Sequence, residues 1–128
     1  MSCNIIHQRK LKLDGFKIKL EDLYMPKKGY ESWVPDKPEM EDISKNLFSI
    51  SGGCGQVIKG YISDGWMEVI DLELYGESSA TFFQEIFLES LKSSLGTLSV
   101  WLIWETGKIE KVTINNGEIT RKDLELED

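Results

Sequence analysis

The stretch SSATFFQEIFLESLKSSLGTLSVWLIWE, residues 78–105, decides the fold because it joins two strongly apolar elements. Phe83, Phe87, Leu91 and Leu95 recur every fourth residue, which predicts a helix over 79–95 with one apolar face. Gly96 stands where helices commonly end in a left-handed glycine. The next run, Leu-Ser-Val-Trp-Leu-Ile-Trp, is too apolar for an exposed edge and predicts a central strand that the helix covers.

A turn signal near the N-terminus predicts a β-hairpin. Asp14-Gly15 separates two alternating runs, residues 10–13 and 16–20. The alternation places four lysines on one face of this hairpin: Lys10, Lys12, Lys17 and Lys19. Like charges that face each other across a hairpin are destabilising. Two interpretations therefore stay open: solvent and nearby carboxylates screen the lysines, or this face docks an anionic surface on a partner or on the chain's own acidic tail.

Two more hairpins are predicted further along the chain. One turns at residues 63–65 as a three-residue loop, which brings Ile58 opposite Ile70, and the other turns at residues 115–117. The order of elements predicts an α+β fold. In this fold a mostly antiparallel sheet of six to seven strands carries one main helix, about 79–95, on one face.

Composition and charge indicate a folded acidic protein. Hydrophobic residues make up 41% of the 128-residue chain, and the formal net charge is −7. Residues 1–28 contain seven Lys/Arg and three Asp/Glu, which gives a net charge of +4. Residues 29–128 contain eight Lys/Arg and nineteen Asp/Glu, which gives a net charge of −11. The acidic body disfavours nucleic acid as a partner and favours a basic protein. Because no signal peptide or membrane-length apolar run is visible, we expect residues 1–128 to form a single cytoplasmic domain without membrane association.

No stretch carries a specific catalytic, metal or cofactor signature. Residues 52–55 are glycine-rich but lack the lysine of a phosphate-binding loop, and His7 is the only histidine that could activate Cys54. Asp71 and Glu73 alternate on a predicted strand and lie roughly 7 Å apart, a separation that an inverting glycosidase uses. Because no specific signature is present, we expect that the protein is not an enzyme and binds no cofactor. Two alternatives stay open: a small hydrolase that uses this carboxylate pair, or a structural or regulatory subunit of a homo-oligomer.

Residues 21–46 contain three prolines that break every periodic pattern and predict a long surface excursion. Aromatic and methionine side chains commonly anchor protein interfaces, and carboxylates orient a basic partner. The alternative is that the aromatic side chains only cover a sheet edge and that the carboxylates are solvated. We predict that the partner-binding residues are Tyr30, Trp33, Asp36, Glu39, Met40, Glu41 and Asp42.

Residues 30–42 and the ending WETGKIEKVTINNGEI, residues 104–119, resemble bacterial immunity proteins. These proteins neutralise toxins of the contact-dependent inhibition and polymorphic-toxin type. A Trp-Glu-x-Gly turn followed by a hairpin is similar to the last strands of several such small families. The resemblance implies tight binding to a cognate protein toxin, usually a basic nuclease, with no reaction performed. It specifies neither the toxin nor the oligomeric state.

Overall fold

The computed structural model describes residues 6–29, 31, 34–51, 56–74, 87–104 and 106–124. The strands are β1 Ile6–Lys19, β2 Glu39–Asp42, β3 Leu47–Ser51, β4 Val57–Ser63, β5 Trp66–Glu73, β6 Leu95–Trp104, β7 Ile109–Asn115 and β8 Glu118–Leu124. The helical segments are α1 Leu20–Tyr24, α2 Leu88–Ser90 and two 3₁₀ turns, Ile43–Lys45 and Leu91–Ser93.

One antiparallel sheet dominates the described residues. Its eight strands lie in the order β2-β3-β4-β5-β1-β6-β7-β8, which confirms the predicted mostly antiparallel sheet and adds at least one strand to it. The longest described helix is α1, with five residues. The described residues therefore form a largely β fold with only short helical turns, which differs from the predicted α+β class in its helical part.

The predicted helix over 79–95 is only partly open to comparison, because residues 79–86 lie outside the described residues. The described remainder is α2 and the 3₁₀ turn that follows it. Both the backbone N–H and the hydroxyl of Ser94 donate to the Leu91 carbonyl, at 3.0 and 2.7 Å, and this closes the helical turn. Leu95 already belongs to β6 and is 48% exposed, so it is not part of an apolar helix face.

The hydrophobic core lies between one face of the sheet and the helical turns. Leu23 of α1, together with Phe87 and Leu91 around α2, is fully buried there. We call the opposite face, whose residues alternate with the buried ones along each strand, the open face. The strands contribute to the core Phe16, Ile18, Ile50, Ile58, Met67, Val69, Leu72, Leu98, Val100, Leu102, Val112 and Ile114.

Asp14-Gly15 is not a hairpin turn, because β1 runs through it as one strand. Asp14 faces Thr97 and Lys17 faces Leu95, so β1 carries one residue more than β6 between these two pairs. Gly15 has a φ of +58° and supplies the left-handed residue of this β-bulge. The hairpin prediction is wrong because Asp-Gly suits a bulge as well as a turn. The four lysines nevertheless share the open face of β1: Lys10, Lys12, Lys17 and Lys19.

The β4–β5 hairpin is confirmed, but its predicted register is wrong. Asp64 and Gly65 both have positive φ, +52° and +81°, as in a two-residue type I′ turn rather than a three-residue loop. β5 also carries one extra residue, Ile70, between the pairs Gly60–Val69 and Lys59–Asp71, so Ile58 faces Leu72, which is fully buried. Ile70 falls at an irregularity in the pairing and is 43% exposed.

A buried carboxylate holds the last three strands together. Glu110, 2% exposed, accepts hydrogen bonds from Nε and Nη2 of Arg121 at 2.7 and 2.8 Å and from the Trp104 indole at 3.1 Å. Burial alone would raise the pKa of Glu110. The hydrogen bonds from Arg121 and Trp104, with the charges of Arg121 and Lys108, outweigh burial and hold this pKa below its usual value.

We expect Glu110→Gln to lower the free energy of unfolding by about 2 kcal/mol at pH 7, because the variant loses charge-assisted hydrogen bonds. A lowered pKa in the folded state contributes stability above the unfolded value, about 4.3, and this contribution is lost as the pH falls through the folded-state pKa. Urea unfolding of both proteins should therefore converge at acidic pH. Asp123→Asn, which removes an exposed carboxylate 3.3 Å from Lys108, is the control and should cost under about 1 kcal/mol. A pH-independent difference for Glu110→Gln would contradict this account.

Candidate protein-binding surface

Most of the sequence-predicted binding residues lie at one edge of the sheet. Within the described sheet β2 pairs only with β3, through Glu39 opposite Ser49 and Met40 opposite Phe48. The register shifts after Met40, so Glu41 is an extra residue on the outer strand. The backbone of an edge strand keeps hydrogen-bonding groups that another chain can pair with.

Asp36 extends this edge past the end of β2. Its backbone N–H donates to the Ser51 carbonyl at 2.8 Å, and its own carbonyl accepts from the Tyr24 hydroxyl at 2.6 Å. Burial and then the negative charge of Asp36 raise the pKa of Tyr24 to about 12. The hydroxyl is therefore a stable donor near neutral pH, and it ties the segment before β2 to α1.

The carboxylates of this edge have different local roles. Asp42 accepts from the backbone N–H and the hydroxyl of Ser44 at 3.0 and 2.7 Å and so caps the 3₁₀ turn. Glu41 lies 4.0 Å from Lys59, an exposed and weak ion pair. Within the described residues, the side chain of Glu39 makes no hydrogen bond or ion pair.

Exposed apolar side chains lie beside these carboxylates. Met40, predicted as a binding residue, is 51% exposed, and Val34 is 40% exposed. Ile43, at 74%, is the most exposed large apolar residue of the described chain and was missed by the sequence prediction. A lone isoleucine in a polar segment gives no periodic signal, although its place directly after a capping aspartate is a usable clue.

Five of the seven predicted binding residues can be placed, whereas Tyr30 and Trp33 lie outside the described residues. The structure aligns the five along the outer side of β3. We call this set the acidic edge: Asp36, Glu39, Met40, Glu41 and Asp42.

The carboxylate pair of the alternative hydrolase lies elsewhere, on the open face of β5. Asp71 is half-buried opposite Lys59, and Glu73 is exposed opposite Val57. Cys54 lies outside the described residues. Among the residues that are described, no group of three or more His, Cys, Asp or Glu side chains is arranged to hold a metal ion.

Comparison with known proteins finds no match: no protein-family model, curated protein sequence or solved structure matches the chain. In the described part of the chain, no helix has the length and apolar character needed to cross a membrane.

Proposed function

We propose that this protein is a non-catalytic immunity protein that binds and neutralises a basic, nuclease-like toxin through the acidic edge. The observation that carries the proposal is the coincidence, at one sheet edge, of exposed carboxylates, exposed apolar side chains and a strand whose outer side has no partner in the described sheet. In the proposed interface, each of these features has a different role.

The backbone of β2 offers a docking template. Its outer side has no strand beside it in the described sheet, so a partner strand can add there by main-chain hydrogen bonding. The short length of β2 and the extra residue Glu41 limit indiscriminate pairing between copies of the chain. This combination favours a specific partner over self-association.

In this proposal the apolar side chains supply the affinity for the partner, and the charged side chains set its orientation. Met40 and Ile43 are large enough to act as desolvated anchors at the centre of an interface. Asp36, Glu39 and Glu41 are exposed along the same edge and add negative charge to it, which speeds encounter with a basic partner and disfavours acidic ones. A nuclease presents a cationic substrate surface and fits this chemistry.

The decisive experiment is co-purification with the protein encoded immediately upstream. A tagged copy of this chain should retain that protein in a stoichiometric complex at moderate salt and should protect cells that express it. If no complex forms and cells are not rescued, the immunity proposal is wrong.

Given that complex, Glu39→Lys/Glu41→Lys should slow association at least about tenfold at low ionic strength, because the steering charge is reversed. The difference should shrink as salt is added, since exposed charges are screened. Asp42 is left unchanged, because losing its cap would cost about 1 kcal/mol of stability. Stopped-flow association rates measure the effect. Glu73→Lys/Glu118→Lys makes the same charge change away from β2, and equal rates for the two variants would exclude the acidic edge as the interface.

A further inference from the structure

Strands β1, β6, β7 and β8 arrange the side chains of the open face in rows. Lys10 faces Trp101, which faces Lys111, which faces Lys122, so one continuous row crosses all four strands. We call these four residues the basic row. On one side of it, β6, β7 and β8 contribute a row of apolar residues: Ile103, Ile109 and Leu124. The row on the other side is rich in hydroxyl groups: Lys12, Ser99, Thr113 and Thr120.

The basic row concentrates positive charge on an acidic protein. The Nζ atoms of Lys10 and Lys111 lie 5.0 and 4.9 Å from the centre of the Trp101 ring, approaching from the strands on either side. Arg9 and Lys10 also line a depression beside Trp101 and Ile109. Among the described residues, no carboxylate pairs with Lys10, Lys111 or Lys122.

The lysines of the basic row repel one another, and contacts within the fold offset only part of this repulsion. Lys111 and Lys122 face each other directly, and like charges in that position are destabilising. The contacts of Lys10 and Lys111 with the Trp101 ring offset only part of this repulsion, because a cation–π contact open to solvent is weak. A bound anion would remove the repulsion, which makes the basic row a candidate binding surface.

We propose that the basic row binds an extended acidic polypeptide with Asp or Glu at alternate positions. The row spans three strand spacings, about 14 Å, and three alternate residues of an extended peptide span about the same length. Their carboxylates would reach Lys10, Lys111 and Lys122. The neighbouring hydroxyl groups can donate to remaining carboxylate oxygens, and the apolar row accommodates flanking aliphatic side chains.

A peptide fits this surface better than single-stranded nucleic acid does. Binding of single strands relies on aromatic rings free to stack on bases. Trp101 is half-buried, and its ring already carries lysine ammonium groups from both flanking strands. The net charge of −7 also repels a long polyanion, whereas a short peptide meets mainly the local positive field.

The test follows the indole N–H signal of Trp101 by two-dimensional NMR while a Gly-Glu-Ser-Glu-Ser-Glu-Gly peptide is added at low salt. We expect saturable shifts at Trp101 and the basic row, and at least tenfold weaker binding by Lys10→Glu/Lys122→Glu, whose two sites are exposed. Lys37→Glu/Lys45→Glu makes the same charge change at exposed sites away from these strands and should bind normally.

Four results would overturn the proposal. One is the same binding by a peptide with glutamine in place of glutamate, and another is no saturable shift with either peptide. The third is tighter binding of an oligothymidylate to the same residues, which would assign the row to nucleic acid. The fourth is self-association of the protein alone at low salt that Lys10→Glu/Lys122→Glu abolishes, which would assign the row to a second copy. None of these measurements uses the toxin, so they stand or fall separately from the immunity proposal.

Discussion

Gly96→Ala should lower the free energy of unfolding by about 3 kcal/mol or more, since two separate penalties meet at this residue. Gly96 has a φ of +78°, a conformation that alanine adopts only under strain. A Cβ atom there would lie 2.1 Å from the Gly15 carbonyl oxygen, so the backbones of β1 and β6 would have to separate. Urea unfolding monitored by tryptophan fluorescence measures the loss.

The same substitution would also disturb the β7–β8 turn. The Gly96 N–H donates to Oδ1 of Asn116 at 2.9 Å, and the Gly96 carbonyl accepts from the Asn116 N–H at 2.9 Å. Gly107→Ala is a matched control, because Gly107 has a φ of +91° but no atom lies within 4 Å of the position that a Cβ would take there. The control should show only the backbone strain, about 1–2 kcal/mol. Equal losses in the two variants would show that β1 and β6 do not approach closely at Gly96.

This contact explains why the first hairpin was mispredicted. Asp14-Gly15 is compatible with both a turn and a bulge, and the choice depends on what lies beside Gly15. The neighbour is Gly96, 81 residues further along the chain, and a local pattern contains no information about it. The turns at residues 64–65 and 116–117 were recognisable because both of their strands adjoin the turn in sequence.

Register and edge position were harder to predict than the existence of strands. The β4–β5 register depends on positive φ at both Asp64 and Gly65, which alternation alone did not indicate. The short polar strand β2 shows no alternation of buried residues, and it forms because β3 offers an edge to pair with. The acidic residues of the candidate surface were predictable from composition, whereas Ile43 is recognised mainly by its exposure in the structure.

The two proposed surfaces lie toward opposite ends of the sheet and carry opposite charge. Glu39 and Glu41 lie near Lys59 at the β2 end, while the basic row lies on the four strands at the other end. The division of the sequence into residues 1–28, at +4, and residues 29–128, at −11, predicts this arrangement only roughly, because Lys111 and Lys122 belong to the acidic segment. The fold gathers them beside Lys10, so the basic row is a property of the sheet order.

Phe87→Ala should lower the free energy of unfolding by about 3–5 kcal/mol, because it removes a large, fully buried side chain. Phe87 lies directly before α2 and belongs to the same cluster as Leu91 and the core face of the sheet. Chemical unfolding gives the free energy, and an unchanged denaturant dependence (m-value) would show that the loss arises in the folded state.

Ile43→Ala serves as the opposite case, since 74% of Ile43 is exposed and its truncation should change stability by under about 0.5 kcal/mol. The two variants together separate packing from binding. Phe87→Ala should destabilise the protein without altering the acidic edge, whereas Ile43→Ala should weaken partner binding at nearly full stability. A stability loss below about 1 kcal/mol for Phe87→Ala would contradict the central place of Phe87 in the core. The sheet would then owe its stability to contacts between the strands rather than to the helical turns that cover them.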